Sequence, residues 1–201
     1  LLQAEKLVLA ANSPALATCA LRPSGIFGPG NDRILMPSIV ERGQNGKIKY
    51  IVGSGTNLFD WTYVGNVADA HLLGADSLAD PNSGAAGQAF FITNDEPSQF
   101  WGMLGDLSEG LGYARPHIKL PVWIMMIFAY LAIFFGTLLG FKPDISPTRV
   151  RLSSVQRTMR CDKAKRILGY KPEVSMARGK ELTIAAFQHL SKNEVGKRKN
   201  M

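Results

Sequence analysis

The sequence predicts an α/β fold. Short apolar runs bounded by Gly, Pro and Asn alternate with longer stretches whose apolar residues recur at helical spacing. The 201 residues are 46% hydrophobic, enough to bury a core, and no internal repeat or low-complexity stretch competes with that reading.

The elements follow in order. "LLQAEKLVLAAN" reads as a helix with Leu2, Leu7, Val8 and Leu9 on its apolar face, stopped at Asn12, Ser13 and Pro14. It reads as a helix already under way, so the chain is expected to lack an N-terminal half. "ALATCALR" is a buried strand, short and bounded by breakers. A loop rich in Gly and Pro follows, "PSGIFGPGND". "RILMPSIVERGQNG" is a helix closing at Gly46, "KIKYIVG" an alternating strand, and "GSGTNLFD" a turn-rich connection. "WTYV" is a short strand. "NVADAHLLGADSLAD" is a helix with Asn66 as its N-cap. "QAFFITND" is another strand. "PSQFWGMLGDLSEGLG" is a helix with Pro97 near its start and Gly112 as C-cap. Beyond a long apolar run, "PTRVRLSSVQRTMRCD" is mixed, "CDKAKRILGYKP" is a short helix, and "SMARGKELTIAAFQHLSKN" is a final helix.

Charge is unevenly placed. The chain carries +7 overall, but residues 1–141 hold 8 basic and 11 acidic side chains, while residues 142–171 hold 9 basic and 2 acidic. The basic block directly follows the longest apolar run. That order favours an anionic membrane surface over nucleic acid, for which no aromatic RNA signature or helix-turn-helix cue appears. A solvated basic face is the other reading. Two cysteines, Cys19 and Cys161, are too few for a disulfide framework and suit a reducing compartment. His117 and His189 have no metal-ligand partners at useful spacing, so no metal site is expected. His71 reads as a satisfied or surface histidine, and Asp60 as a structural hydrogen-bonding residue.

"LRPSGIFGPG", "GSGTNLFDWTYVGNVADAHLLGAD" and "CDKAKRILGYKP" occur in the order and spacing of the extended short-chain dehydrogenase/reductases. Within them the sequence resembles the 3-beta-hydroxysteroid dehydrogenase family, and most of all its sterol-4-alpha-carboxylate 3-dehydrogenase (decarboxylating) members, over roughly residues 2–190. The resemblance implies the C-terminal part of an extended Rossmann-type fold with a substrate-binding subdomain and an apolar membrane-associating helix. It divides the chain into residues 1–119 (dinucleotide-binding fold plus substrate subdomain), 120–141 (membrane-associating segment), 142–192 (remainder of the subdomain) and 193–201 (basic tail).

By that resemblance Pro23, Ser24 and Ile26 line the nicotinamide pocket of NAD or NADP. Pro23 stiffens the turn, and Gly25, Gly28 and Gly30 allow approaches that a side chain forbids. A Gly/Pro turn without a ligand is the bland alternative. The family's glycine fingerprint and its catalytic Tyr-x-x-x-Lys pair are not in this chain. The lysine is expected at position 1, where Leu1 stands. None of Tyr50, Tyr63, Tyr113, Tyr130 and Tyr170 has a lysine four residues on. The chain by itself is therefore expected not to transfer hydride.

Nucleotide-sugar members of the superfamily commonly carry arginine just before the aspartate of the "LFDWTYV" motif, where a guanidinium can grip a diphosphate. Phe59 stands there, which suits a flat apolar substrate. Trp61 and Tyr63 follow at strand spacing as further candidates for the sterol site. Core packing is the alternative for all three. The reaction implied is oxidation of a 3-beta-hydroxyl to a ketone. A carboxylate at C4 then leaves as carbon dioxide, because the ketone accepts the electron pair. A dehydrogenase/delta-isomerase is the alternative enzyme, and an inactive membrane-binding or scaffold fragment the alternative of another class. A homodimer is a possible assembly.

"LPVWIMMIFAYLAIFFGTLLGF", residues 120–141, has no charge across 22 residues and is flanked by Lys119 and Lys142. By length it can span a bilayer. By resemblance both its flanks belong to one globular enzyme, so a bent or interfacial helix held in one leaflet is favoured, with a buried core helix as the alternative. An endoplasmic-reticulum membrane, cytosolic face, is the expected location. Lys197 and Lys199 in "GKRKNM" resemble a dilysine retrieval signal.

Overall fold

The computed structural model describes residues 2–30, 32, 35–141 and 143–193. The expectations placed on Leu1, on Arg33 and Ile34 at a helix start, on Lys142, and on Lys197 and Lys199 lie outside the described residues.

Along the chain run α1 (Leu2–Ala10), β1 (Ala20–Pro23), β2 (Gly25–Phe27), α2 (Leu35–Gln44), β3 (Tyr50–Val52), β4 (Leu58–Phe59), β5 (Trp61–Tyr63), α3 (Val64–Ala79) and β6 (Ala89–Ile92). Then come β7 (Ser98–Gln99), α4 (Phe100–Gly110), β8 (Ile118–Leu120), α5 (Val122–Leu139), α6 (Pro147–Ser154), α7 (Asp162–Leu168) and α8 (Met176–Ala186). A 3-10 turn, Gln188–Leu190, follows. The alternation confirms the α/β class. Two units emerge, each made of three separated stretches: residues 1–30, 60–97 and 158–183 form the first, and residues 31–59, 98–157 and 184–201 the second.

In the first unit all strand pairing is parallel: β1 with β6 (Ala20↔Ala89 to Pro23↔Ile92) and β2 with β5 (Gly25↔Trp61 to Phe27↔Tyr63). The strand expected from residue 15 begins only at Ala20. A bridge between Ser13 and Leu16, and the Thr18 amide donating to Asn12 Oδ1 at 3.0 Å, hold the preceding residues in a turn. A core of Ala70, Ala85, Phe90, Ile92, Cys161, Ala164, Leu168 and Tyr170 lies where α7 covers β6 and α3 packs beside it on β1. The Tyr170 hydroxyl is buried and donates to Thr93 O at 2.9 Å. Asn66 is not the cap of α3. Tyr63 holds the cap position, and Asn66 lies within the first turn, fully buried, because its amide has tertiary partners.

In the second unit β3 pairs parallel with β8, and β4 pairs antiparallel with β7. The strand β8 has no sequence expectation, since three residues are too few to show alternation. Gly112 supports the expected helix stop: φ is +78° there, just past the end of α4. Within the stretch read as mixed, α6 starts from a Ser146 cap whose hydroxyl accepts from the Arg149 amide, with Pro147 in the first turn.

The long apolar run is one unbroken helix, α5, ended by Gly140 in the left-handed conformation. Only Ala129 and Gly136 of its 18 residues are buried, so the core-helix alternative falls. The chain reverses at Gly140, and Phe141 N donates to Gly136 O at 3.0 Å. Then α6 returns antiparallel beside α5. Pro143 lies against Gly136, Val150 packs with Ala129 and Val52, and Ser154 and Val122 both lie against Gly53. Trp101 closes this cluster and donates from its indole N–H to Ser153 O at 2.9 Å.

Candidate functional site

Residues 20–27 form one extended run that changes partner at Ser24. Up to Pro23 the run pairs with β6; from Gly25 it pairs with β5. Ser24 makes the changeover: its N–H donates to Ile92 O at 3.1 Å and its hydroxyl to Asp60 O at 2.6 Å. The Thr62 hydroxyl donates to the same Ile92 carbonyl, at 3.1 Å. Beyond Ile92 the chain runs alongside β5 instead. Asn94 N donates to Trp61 O at 3.2 Å, and Asn94 Oδ1 accepts the Tyr63 amide at 2.9 Å. The parallel ladder therefore forks, with β5 entering between β2 and the continuation of β6. The fork opens at the carboxyl ends of β1 and β6, the side on which open α/β sheets hold ligands.

Asparagines lock the fork from behind. Asn66 Nδ2 donates to Asn94 Oδ1, and the amides of both residues donate to Val174 O, each at 2.8 Å. Val174 N donates back to Asn66 Oδ1 at 3.0 Å. Both asparagines are buried, so every one of these bonds counts against a desolvation cost.

Of the residues expected at the cofactor, Ile26 is 46% exposed, Pro23 is half-buried, and Ser24 is buried with its hydroxyl proton committed to Asp60 O. The fork brings these three beside Trp61 and Tyr63, both buried; Tyr63 packs edge-on against Phe27 with ring centroids 5.8 Å apart. Gly28 has φ +143°, and a Cβ there would fall 2.4 Å from Val64 Cγ1. Only glycine fits where the loop turns over the start of α3. A planar ring can approach such a side-chain-free turn and the exposed Ile26 edge, so the loop is compatible with a nicotinamide.

Arg22, the first residue of the Arg-Pro pair, does a different job. Its guanidinium grips Glu5 of α1 through Nε and Nη2, at 2.7 and 2.5 Å, and lies over the Phe91 ring. The pairing holds the Glu5 carboxyl below the usual carboxylate range. Asp60 is 1% exposed, and its carboxylate accepts the Met159 amide. Burial raises its pKa above the ordinary value, against the lowering effect of that bond. It is a structural bracket, as expected. His71 is exposed and bonds Val67 O through Nδ1 at 2.7 Å.

Asp95, Lys165 and Cys161, which sequence reasoning did not bring together, meet past the fork. Asp95 has φ +57°, and its carboxylate pairs with Lys165 and accepts from the Cys161 thiol, Sγ at 3.6 Å. The Lys165 pairing pulls the Asp95 pKa down, while burial pushes that of Cys161 up, so the thiol is not activated. Asn94 and Asp95 close the strand motif "FFITND"; Asn-Asp at a strand end was the available signal. No cluster of three metal-ligating side chains occurs among the described residues.

In the second unit Phe59 is 3% exposed. Phe100 meets its ring edge-on at 5.5 Å, and the Arg157 guanidinium lies 5.7 Å from its centroid. Arg157 N also donates to Leu58 O at 2.8 Å, which fixes the arginine there.

The chain is similar to two curated proteins of sterol metabolism by name. It is 47% identical over 98% of its length to the 3beta-hydroxysteroid-dehydrogenase/decarboxylase isoform 2 of Arabidopsis thaliana, covering 36% of that protein. It is 38% identical over 94% of its length to the sterol-4-alpha-carboxylate 3-dehydrogenase, decarboxylating, of Mus musculus, covering 54%. The chain thus spans about half or less of these relatives. Among solved structures, DesIV, a dTDP-glucose 4,6-dehydratase from Streptomyces venezuelae with NAD and TYD bound, superposes with TM-score 0.60 over 92% of this chain and 48% of that one. At 19% identity this shows a shared Rossmann-type fold and nothing of substrate. The model of the 3-beta hydroxysteroid dehydrogenase/isomerase family matches residues 2–122, more than half the chain, and together with the relatives it establishes that the chain belongs to this family.

Proposed function

We propose that this chain is part of an NAD- or NADP-dependent sterol dehydrogenase acting on a 3-beta-hydroxysterol with a 4-alpha-carboxylate. The observation that carries the reading is the 47% identity, over nearly the whole chain, to a relative named dehydrogenase/decarboxylase. A dinucleotide held at the fork loop would supply the hydride acceptor for C3. The residues of this chain hold and shape rather than exchange protons: Pro23, Ser24 and Ile26 present the fork loop to the nicotinamide, and Ser24 keeps that loop fixed to Asp60. Phe59, Trp61 and Tyr63 supply the apolar lining on the sterol side. Once C3 is a ketone, the C4 carboxylate is beta to it and leaves as carbon dioxide.

Activity of the intact protein with a 4-alpha-carboxysterol, read as NAD(P)H formation with matching carbon dioxide release, tests the reading. The family name also covers dehydrogenase/isomerases. Turnover of a delta-5-3-beta-hydroxysteroid with a double-bond shift, and none of the carboxysterol, would replace the first reading with that one. The proposal includes association with a lipid membrane through residues 120–141, at the cytosolic face of the endoplasmic reticulum, and a homodimer as the assembled form. The largely exposed apolar surface of α5 supports the membrane part.

A further inference from the structure

The helices α5 and α6 belong to one unit, and their antiparallel packing limits how α5 can meet a membrane. At 1.5 Å per residue, α5 is about 27 Å long, close to the thickness of a hydrocarbon core. Yet the chain runs back alongside it, from Pro143 against Gly136 through α6 to Ser154, which lies with Val122 against Gly53. Arg149 and Arg151 on α6 are exposed, and neither meets a carboxylate among the described residues; the Arg149 guanidinium donates to the carbonyl of Asp144. If α5 crossed the bilayer, both guanidiniums would be carried into hydrocarbon without partners.

The exposed side of α5 is too broad for a single protein partner. Trp123, Ile127, Phe128, Phe134 and Leu138 are each more than half exposed. Counting also exposed Ile133 and Leu139, at about 100° per residue the exposed positions sweep more than half the circumference, whereas a helix packed on one neighbour needs a stripe of roughly 100°. Hydrocarbon covers such a surface on every side. Val150 faces the core between the two arginines, so they flank the buried seam and sit at the level of the helix pair rather than beyond its apolar crest.

We propose that α5 and α6 form a one-leaflet anchor for an anionic phospholipid bilayer. In it α5 lies in the plane of the membrane, sunk into the acyl boundary, and Arg149 and Arg151 meet headgroup phosphates, with exposed Lys119 at the entry to α5. The anchor rests on the membrane association proposed above and adds the in-plane lie that α6 imposes on α5 and the two arginines that meet the headgroups.

Flotation of the intact protein with vesicles of phosphatidylcholine alone, and of phosphatidylcholine with phosphatidylserine, tests it. Binding should favour the anionic vesicles and fall with salt. The double variant Arg149→Gln/Arg151→Gln should weaken binding to them about thirty-fold, from roughly 1 kcal/mol per cation, and leave binding to neutral vesicles unchanged. In a cysteine-depleted background, Lys119→Cys and Asp144→Cys, at the exposed polar positions flanking the two ends of α5, should both react with an impermeant maleimide added outside the vesicles. Protection of one end alone means that α5 spans, and overturns the anchor. Equal binding to both vesicle types, with no effect of the arginine variant, overturns the headgroup contact. Dimerisation through α5 without flotation identifies a second copy as the occupant and also overturns it. Failure to float on any vesicle removes the membrane association itself, while turnover of the carboxysterol in detergent still reports separately on the enzyme.

Discussion

The side-chain oxygen of Asn94 accepts the backbone N–H of Tyr63 at 2.9 Å, so a carboxamide carries the hydrogen-bond ladder past the end of β6. Its nitrogen donates at the same time to Val174 O. Asn94→Ala leaves the buried Tyr63 N–H without a partner and Val174 O with the Asn66 amide as its remaining side-chain donor, and should lower unfolding free energy by about 2 kcal/mol. Urea denaturation measures it. Asn94→Asp should be no milder, because an acceptor then faces Val174 O. A variant as stable as the parent would show that the fork does not need its lock.

Gly28→Ala places a methyl where Val64 Cγ1 already sits, at a φ that L residues rarely adopt. The loop must shift, at a cost of about 2–3 kcal/mol. If this loop carries the nicotinamide, the intact protein should lose NAD(P)H affinity at least tenfold, measured by fluorescence titration. Gly30→Ala, at φ +113° with no neighbour within 4 Å of the new carbon, should cost less on both counts. Unchanged cofactor affinity in a folded Gly28→Ala protein would separate the loop from the cofactor.

Phe59 tests the sterol lining, and its surroundings decide which substitution is informative. Phe59→Arg would set a second guanidinium beside Arg157 in a buried position, so loss of fold is expected, by about 3 kcal/mol or more. Phe59→Leu keeps the site apolar. It should raise KM for the carboxysterol several-fold with little change in KM for the dinucleotide. An unaltered sterol KM would make Phe59 a core residue alone.

Asp60 offers a test by pH. Its folded pKa lies above the unfolded value near 4, chiefly through burial, so the folded state holds the proton more tightly. Its contribution to stability is therefore best in acid and declines as pH rises from the unfolded value through the folded one. Asp60→Asn removes that decline and keeps an oxygen for the Met159 amide. Thermal melts should show the variant gaining on the parent between about pH 4 and neutrality. Turnover should persist in the variant, and its abolition with the fold intact would make Asp60 part of the chemistry.

Local patterns made most elements legible. The stop signals placed α1, although Leu7 and Val8 of its expected apolar face are exposed, and the Gly/Pro loop after β1 was visible from composition. What escaped depends on partners distant in sequence. Asn66 has the residue type and position of a cap, and nothing local shows that Asn94 and Val174 claim its side chain. β8 is visible only through its pairing with Tyr50, Ile51 and Val52. The Arg-Pro motif drew attention to Pro23 and Ser24, whereas the partner of Arg22, Glu5, lies in a helix read only for its apolar face. A stop signal uses adjacent residues; a fork in a sheet uses residues from several turns of the chain.

The interleaving of the two units bears on the order in which a growing polypeptide can fold. Ala20 waits for Ala89, and the first unit needs residues up to Thr183 before its last stretch exists. The whole of α5 is synthesised well before that point. Translation adds on the order of 5–20 residues per second, so the greasy helix leaves the ribosome seconds ahead of the segment that completes the first unit. During that interval the nascent chain carries its most aggregation-prone surface unshielded, which gives early capture by a membrane or a chaperone a direct bearing on yield.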